Sequence, residues 1–519
     1  MTLTREEKRA FRSLLFKHQD GITITATIAV LEKHGVFNFL ATEQSTSLSE
    51  IATQFPQFHK GYLNVSLRSL ASQGILTYEV TADTIRLGVT PKFDNFQRHI
   101  THYINFNSLF SYYYELLQQP YQFPFPDVDT LISLATYWSI TKKAFGSDTY
   151  FQEDVAVHLE GVLIAPMLVY LGYHADLEAL ETAHFLKDAS LLKILQLFEL
   201  HDGTSLTAKG EFLFAKSYAY GVSVSYMPIM CHQETYLTGD FLPFFEQDHL
   251  GNEQHVFRGI NVWGSGGSHA TYFNLFDTVL IDIFNKPLEE QPKGIIDVGC
   301  GNGALLEHIF DLIWNKTQRK EDLSNNKLIL IGADYNKEAL LSTKRNLERA
   351  NVWAEVVWGD IGNPAEIDAK LQKLYNVKLE ELLNVRSFLD HNRPFNTPKG
   401  TYSGTKLSTG AFVHRGKHLH NADVAQSLIE HFEKWKPYIE KHGLLFIELH
   451  TVAPDVVAVN LGKTPCTAYD VTHGFSDQYI VELDVFLDAI DKAGISVNPK
   501  HSYRFPSPEI STISINLIQ

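Results

Sequence analysis

Cysteine is scarce: Cys231, Cys300 and Cys466 are the three in 519 residues, and their wide separation supports neither a disulfide framework nor a thiolate metal site. A reducing, cytoplasmic setting is the expectation. Cations are in deficit as well. Against 60 acidic residues stand 44 lysines and arginines, a formal charge of −16, which argues against a nucleic-acid partner because phosphate binding needs a basic face. The run from Met1 to Arg9 is charged and has no apolar leader, and no stretch of about eighteen apolar residues reads as a membrane span. What is present, 44% hydrophobic and 20% charged, is a globular composition long enough for two or three domains.

The most telling segment runs from Gly294 to Leu306. Ile295 and Ile296 predict a buried parallel strand, Ala304 to Trp314 has the spacing of a helix packed on it, and Gly299, Gly301 and Gly303 make the turn between them. Such a turn lets backbone approach a ligand closely, and the helix start after it offers free N–H groups. Lys327 to Asp334 predicts a second strand that ends in a carboxylate suited to a ribose diol. Ala354 to Asp360 predicts a third, ending in Gly359-Asp360 with Ile361 after it. A lone glycine turn is shared with dinucleotide-binding folds. The Asp-x-Gly-x-Gly-x-Gly form, with acids at all three strand ends, matches instead the class I methyltransferase pattern. The predicted cofactor is S-adenosylmethionine, held by Asp297, Gly299, Gly301, Asn302, Gly303, Asp334, Tyr335, Gly359, Asp360 and Ile361.

The predicted fold is α/β, a Rossmann-like doubly wound sheet preceded by a mostly helical, winged-helix-like region. Residues 1–95 predict a winged-helix-like module, with Ser47-Leu48-Ser49-Glu50 as a capping box and Tyr62 to Ser72 as its third helix. Residues 96–224 predict an aromatic-rich helical segment and a second such module, with strands near 198–200 and 205–207. DNA binding by the first module is disfavoured, since its third helix offers only Arg68. Residues 225–290 predict a connection whose run from Arg258 to His269, rich in glycine and serine, suits a hinge. Residues 291–519 predict the catalytic domain, with Leu383 to Asp390 as fourth strand, Leu444 to His450 as fifth and Ile510 to Leu517 as the last. The segment between Asn392 and Ala422 is longer than an ordinary loop and predicts a lid or substrate wall.

Strand order brings His391, His450 and the loop with His473 and Gln478 towards one pocket. His391 and His450 are the candidate catalytic residues. Two or three imidazoles with a carboxylate or amide oxygen also suit a divalent transition metal, iron or manganese, which could chelate a 1,3-dicarbonyl and stabilise its enolate. Metal ligation and metal-free base catalysis are equally open on spacing alone. His414, His418 and His420 read as a polar loop, and Tyr226, His232 and Tyr236 as weaker candidates for the pocket.

Four segments together (Arg258 to His269, Asp297 to Gly303, Ser387 to Arg393 and Thr472 to Tyr479) resemble the metal-dependent C-methyltransferase domains of apratoxin-type polyketide synthase loading modules. The resemblance implies a mononuclear iron or manganese and methylation of the α-carbon of a malonyl unit carried on an acyl carrier protein. It implies His450 and Gln478 as ligands, with His391 or His473 near the metal. A small β-dicarbonyl acid is equally open as acceptor. A winged-helix module before a class I domain also resembles natural-product O-methyltransferases, in which His391 or His450 would be a metal-independent base. A noncatalytic scaffold is the remaining alternative, and the intact glycine turn weighs against it.

Overall fold

The computed structural model describes residues 3–81, 84–249, 251–404 and 406–519, apart from the side chains of residues 267–271. Ser268 and His269 of the expected hinge therefore have side chains outside the described set. Seven strands form the catalytic sheet, numbered here along the chain: β1 Gly294–Val298, β2 Ile329–Asp334, β3 Glu355–Trp358, β4 Leu382–Ser387, β5 Leu444–Leu449, β6 Val497–Phe505 and β7 Ile513–Ile518. Their order is β6-β7-β5-β4-β1-β2-β3. Neighbours from β5 through β3 are parallel, whereas β7 runs antiparallel to both β5 and β6. The order reverses at β1, and ligands of such a sheet sit at the carboxyl ends beside that point.

Helices cover both faces, which is why β1 and β5 are buried along their whole length. Asn421–Ile439 and Leu483–Lys492 pack Phe432, Trp435 and Phe486 on one face, and Arg258–Phe284 and Ala304–Lys316 pack Phe276, Leu306 and Ile309 on the other. Two expectations shift. The fourth strand stops at Ser387 because Phe388 takes a left-handed φ of 53° and turns the chain into Asp390–Asn392. β6 has no counterpart in the sequence reading: it is an edge strand containing Pro499 and polar alternate residues, so it lacks an apolar signature.

In the N-terminal half, Ser47 caps Leu48–Gln54 in a complete capping box. The strands Ser45–Ser47, Leu76–Val80 and Ile85–Val89 form a small antiparallel sheet beside the Lys60–Ser72 helix. The second expected strand pair is reduced to one bridge, His201 to Leu206. The Arg5–Lys33 and Ala156–Glu178 helices cross at two glycines. A Cβ on Gly21 would come within 2.4 Å of the His158 backbone, and one on Gly161 within 2.5 Å of the His18 backbone. Tyr103, Phe106, Phe110, Tyr113 and Trp138 of the aromatic segment are buried in this core.

One reading of the sequence is corrected here. The helical run Phe151–Glu178 does carry an 18-residue window apolar enough to cross a membrane, but 89% of that window is buried inside the protein. It is the central helix of the N-terminal core. The glycine- and serine-rich run from Arg258 is likewise no hinge in this fold, but the first turns of the Arg258–Phe284 helix. Gly264 lies so close to Gly221 that a Cβ would sit 2.7 Å from its Cα, so glycine here serves helix packing.

Candidate active site

The glycine turn leaves β1 with Gly299, Gly301 and Gly303 at φ of 82°, 55° and 83°. These left-handed conformations explain the three alternate glycines. The Gly299 and Cys300 N–H groups donate to Ala333 O at 2.7 and 3.1 Å, which fixes the turn against β2. The Gly301 N–H donates to Asp334 Oδ2 at 3.1 Å, and the Asn336 N–H to Asp334 Oδ1 at 2.9 Å. A Cβ at Gly301 would meet nothing within 4 Å, so open space lies above the turn. Asp297 is buried at the end of β1 and its Oδ1 has no partner among the described residues. Burial, with the Asp334 charge beside it, pushes the Asp297 carboxyl up to about 8, and burial raises Asp334 too.

An orphaned buried acid, an open glycine cradle and a second acid at the end of β2 fit the amino-acid and ribose parts of S-adenosylmethionine. Asn302 Oδ1 accepts the Ala304 N–H at 3.1 Å, so this side chain caps the following helix. Tyr335 is 39% exposed at the mouth, with its carbonyl held by Trp358 Nε1–H at 2.9 Å. Gly359 donates to Asp334 O at 3.1 Å, Asp360 Oδ1 accepts the Gly362 N–H at 2.7 Å, and Ile361 is buried with its carbonyl bound to Trp435. The third-strand end thus abuts the second.

His391 stands next to this turn, because Leu389 packs on Gly299 at about 2.9 Å from where a Cβ would be. Its Nδ1 faces Glu448 Oε1 at 2.5 Å, and Glu448 Oε2 accepts the Asp390 and His391 N–H groups at 2.7 and 3.3 Å. Both side chains are buried. A carboxylate can only accept, so Nδ1 carries a proton and Nε2 is the ring nitrogen that Glu448 leaves free for another partner. The ring of His473 lies 5.2 Å away, edge to face. His473 Nδ1–H donates to Tyr469 O at 2.8 Å, and burial followed by the nearby His391 pulls its pKa down to about 3. It is therefore a neutral imidazole. Behind the pair, burial raises Asp390, but Arg386 at 2.5 Å and His431 at 3.0 Å outweigh it and hold the acid at about 2.

His450 is not part of this group. Its Nε2 meets Ser514 Oγ at 2.8 Å, its Nδ1 meets Val481 O at 3.3 Å, and its ring packs on Phe486. With both nitrogens engaged and its pKa brought to about 3 by burial, His450 braces β5 on β7. Gln478 does come to the pocket. Its amide N–H groups donate to Tyr226 Oη at 3.0 Å and Ser476 Oγ at 2.8 Å. Tyr226 also lies 6.0 Å from the His473 ring, whereas His232 and Tyr236 pack among Tyr114, Phe241 and Phe244.

Among the described residues no three His, Cys, Asp or Glu side chains converge as a metal-ligand set. Of the four residues expected from sequence, the His391 and His473 rings lie together and Gln478 reaches Tyr226 beside them, whereas His450 bonds Ser514 and Val481. Glu448 is the functional residue the sequence reading left without a role. Its signal was an acid inside the otherwise apolar run of β5. Arg68 is the other. From the Lys60–Ser72 helix it forms a buried ion pair with Asp470, three residues before His473, and donates to Thr409 O at 2.6 Å and to Thr451 Oγ1 and Val452 O at 3.0 Å. It ties the N-terminal module to both the insertion and the His473 helix.

Residues 253–516 match the family described as AprA MT2-like domain. The chain belongs to this methyltransferase family. Residues 11–78 of the methyltransferase match a second family, the AprA N-terminal domain. No curated protein matches it. Solved structures similar to it include the CurJ carbon methyltransferase, at 12% identity over 75% of this chain and 90% of that one, with a TM-score of 0.33. The citrinin polyketide synthase CMeT domain is similar at 10% identity over 75% and 96%, with a TM-score of 0.36. An O-methyltransferase family protein from Burkholderia thailandensis is similar at 11% identity over 73% and 97%, with a TM-score of 0.38. Likenesses this low leave the chemistry to this chain's own residues. The glycine turn and its two acids fit S-adenosylmethionine as the methyl donor.

Proposed function

We propose that the methyltransferase alkylates the α-carbon of a malonyl-type or β-dicarbonyl acyl acceptor, either small or borne on a carrier protein, with His391 as general base. The observation that carries this reading is the buried His391–Glu448 pair beside the glycine turn. S-adenosylmethionine supplies an electrophilic methyl group on its sulfonium. The protein's task is to form and orient the nucleophile. His391 Nε2 takes the α-proton, the C–H electron pair becomes the enolate, and its carbon forms the new C–C bond as the methyl–sulfur bond breaks. Glu448 stabilises the imidazolium by holding Nδ1–H. A pair placed in this way contributes about 10²–10⁴-fold.

A divalent cation would have His391, His473 and Gln478 to hold it, and His391 Nε2 would then serve as a ligand in place of the base. The Glu448 carboxylate and Tyr469 carbonyl behind the two rings are the kind of support that ligating histidines have. Bound there, it would polarise the dicarbonyl oxygens. O-methylation remains the second reading, because the same base can take a hydroxyl proton.

The test is turnover of a malonyl thioester and of a phenol by parent and His391→Gln protein, with metal content measured on both. A loss of at least a hundredfold on the thioester, with S-adenosylmethionine affinity unchanged, supports the proposal. Turnover of the phenol alone supports O-methylation. About one equivalent of iron or manganese, lost in His473→Ala/Gln478→Ala protein, adds the metal.

A further inference from the structure

A cleft of about 790 Å³ opens between the N-terminal module and the insertion, lined by residues 58–60, 239–242, 415–418 and His420. None of the glycine-turn residues lines it. Its walls are fixed to each other. The Gly61 N–H donates to Gly416 O at 3.0 Å, and the His59 ring bonds Gly239 O at 2.8 Å. Gly416 has a φ of +76°, and a Cβ there would sit 2.8 Å from the Phe241 ring, so both backbone and space demand glycine at this turn.

The charge of the lining is opposite to that of the chain. Lys60, Arg415 and Lys417 face a single acid, Asp240, in a protein of net charge −16. Arg415 is partly neutralised by Asp477 at 3.2 Å. Lys60 donates to a neutral partner, Ser49 Oγ, at 3.0 Å, and Lys417 has no hydrogen-bond or ion-pair partner among the described residues. His418 completes the set: its Nε2 is buried and unpartnered among the described residues. Burial, with Lys60 beside it, brings its pKa to about 4, so the ring is neutral and can donate through Nε2. Leu242, 53% exposed, offers an apolar surface on the same wall. A cleft with clustered cations concentrates anions, and this volume is that of a small-molecule site.

The cationic wall is also joined to the base. The Arg415 N–H donates to both Asp477 oxygens at 3.1 Å, His414 bonds Tyr479 Oη at 3.0 Å, and the Tyr479 N–H donates to His391 O at 2.7 Å. We infer that this cleft binds the phosphate-ester end of the organic acceptor whose other end reaches His391, with Lys60, Lys417 and His418 holding the phosphate. Two lysines and an imidazole suit a phosphate monoester, with close to two charges and three free oxygens, and also a diester, with one charge and two free oxygens. The assignment rests on the methyl-transfer reading above for what the ligand does, but not for its binding.

The probe is phenyl phosphate, titrated calorimetrically into the full chain and into its Lys60→Gln/Lys417→Gln variant. Saturable binding competed by inorganic phosphate, at least tenfold weaker in the variant, is expected. Equal S-adenosylmethionine affinity in both shows that the variant is folded. No saturable binding to the parent, equal binding to the variant, or benzoate binding as tightly as phenyl phosphate would overturn the assignment. His391→Gln separates the two ideas: it should abolish methyl transfer and leave phenyl phosphate binding intact. Removing the phosphate from a phosphorylated malonyl thioester should raise its KM at least tenfold with the parent and leave it unchanged with the variant. Offering that thioester free, or joined through its phosphate to a carrier polypeptide, distinguishes the two sources by the lower KM.

Discussion

The cofactor turn and the base site touch each other but are built in different ways. The turn is a contiguous strand–turn–helix in which three positive φ values, an acid at the end of β1 and an acid at the end of β2 do everything within some forty residues. The base site draws His391 from the end of β4, Glu448 from β5, and His473 and Gln478 from the helix and loop beyond. Arg68, some four hundred residues away in the N-terminal module, then clamps the His473 helix. A local site tolerates disturbance elsewhere in the chain, whereas an assembled one inherits the stability of every segment it uses.

The largest expected effect comes from breaking that assembly. Arg68→Met leaves the Asp470 carboxylate without its partner in a nearly dry setting, which should cost about 3–5 kcal/mol of unfolding free energy in a denaturant titration. Adding Asp470→Leu should recover most of it. Methyl transfer should fall further than S-adenosylmethionine affinity in the single variant. Equal losses of both would mean that the two sites are not independently built.

On the local side, Asp334→Ala removes the acceptor of the Gly301 and Asn336 N–H groups and the expected ribose partner. Calorimetry should show S-adenosylmethionine binding weakened by about 1.5–3 kcal/mol, with the denaturation midpoint changed little. A loss of stability matching that of Arg68→Met would break the distinction.

A smaller effect tests the seam between the halves through pH. Asp20 is buried on the Arg5–Lys33 helix, accepting from Gln73 Nε2 at 3.1 Å and the Ala468 N–H at 3.3 Å. Burial raises its pKa from 3.8 to about 8 despite those bonds. Between these values the folded chain keeps a proton that the unfolded chain has released, so stability falls as pH rises from about 4 to about 8. Asp297 acts in the same direction over the same window. Melting temperature followed across that range should drop for the parent and drop less for Asp20→Asn.

The smallest effect belongs to His450. His450→Asn should lower the melting temperature modestly by unpairing Ser514, and leave turnover within about twofold, since its ring makes no contact with His391 or His473 among those described. A hundredfold loss of turnover would return His450 to the site.

Much of the first site was legible in the chain because its signals are local. Glycines at alternate positions, an apolar run before them and acids at strand ends each reflect a constraint acting within a few residues. The same locality made the capping box at Ser47 and the helix from Tyr62 to Ser72 readable. β6 was not, because an edge strand with a proline and polar alternate residues has no apolar period to read. The glycine-rich run at Arg258 misled for a different reason: glycine signals flexibility in a loop and close packing in a helix, and only the partner Gly221 tells which.

The sequence by itself therefore determined the sheet's cofactor end, since backbone conformation at a glycine turn is set by the residues in the turn. Which histidine faces the pocket was decided by tertiary structure alone. His391 and His450 follow adjacent strands and look alike in the chain, but the positive φ at Phe388 swings one towards Glu448, and the pairing of β5 with β7 closes Ser514 over the other. A side chain's partners come from strands brought together by burial, and burial acts between segments that no local pattern connects.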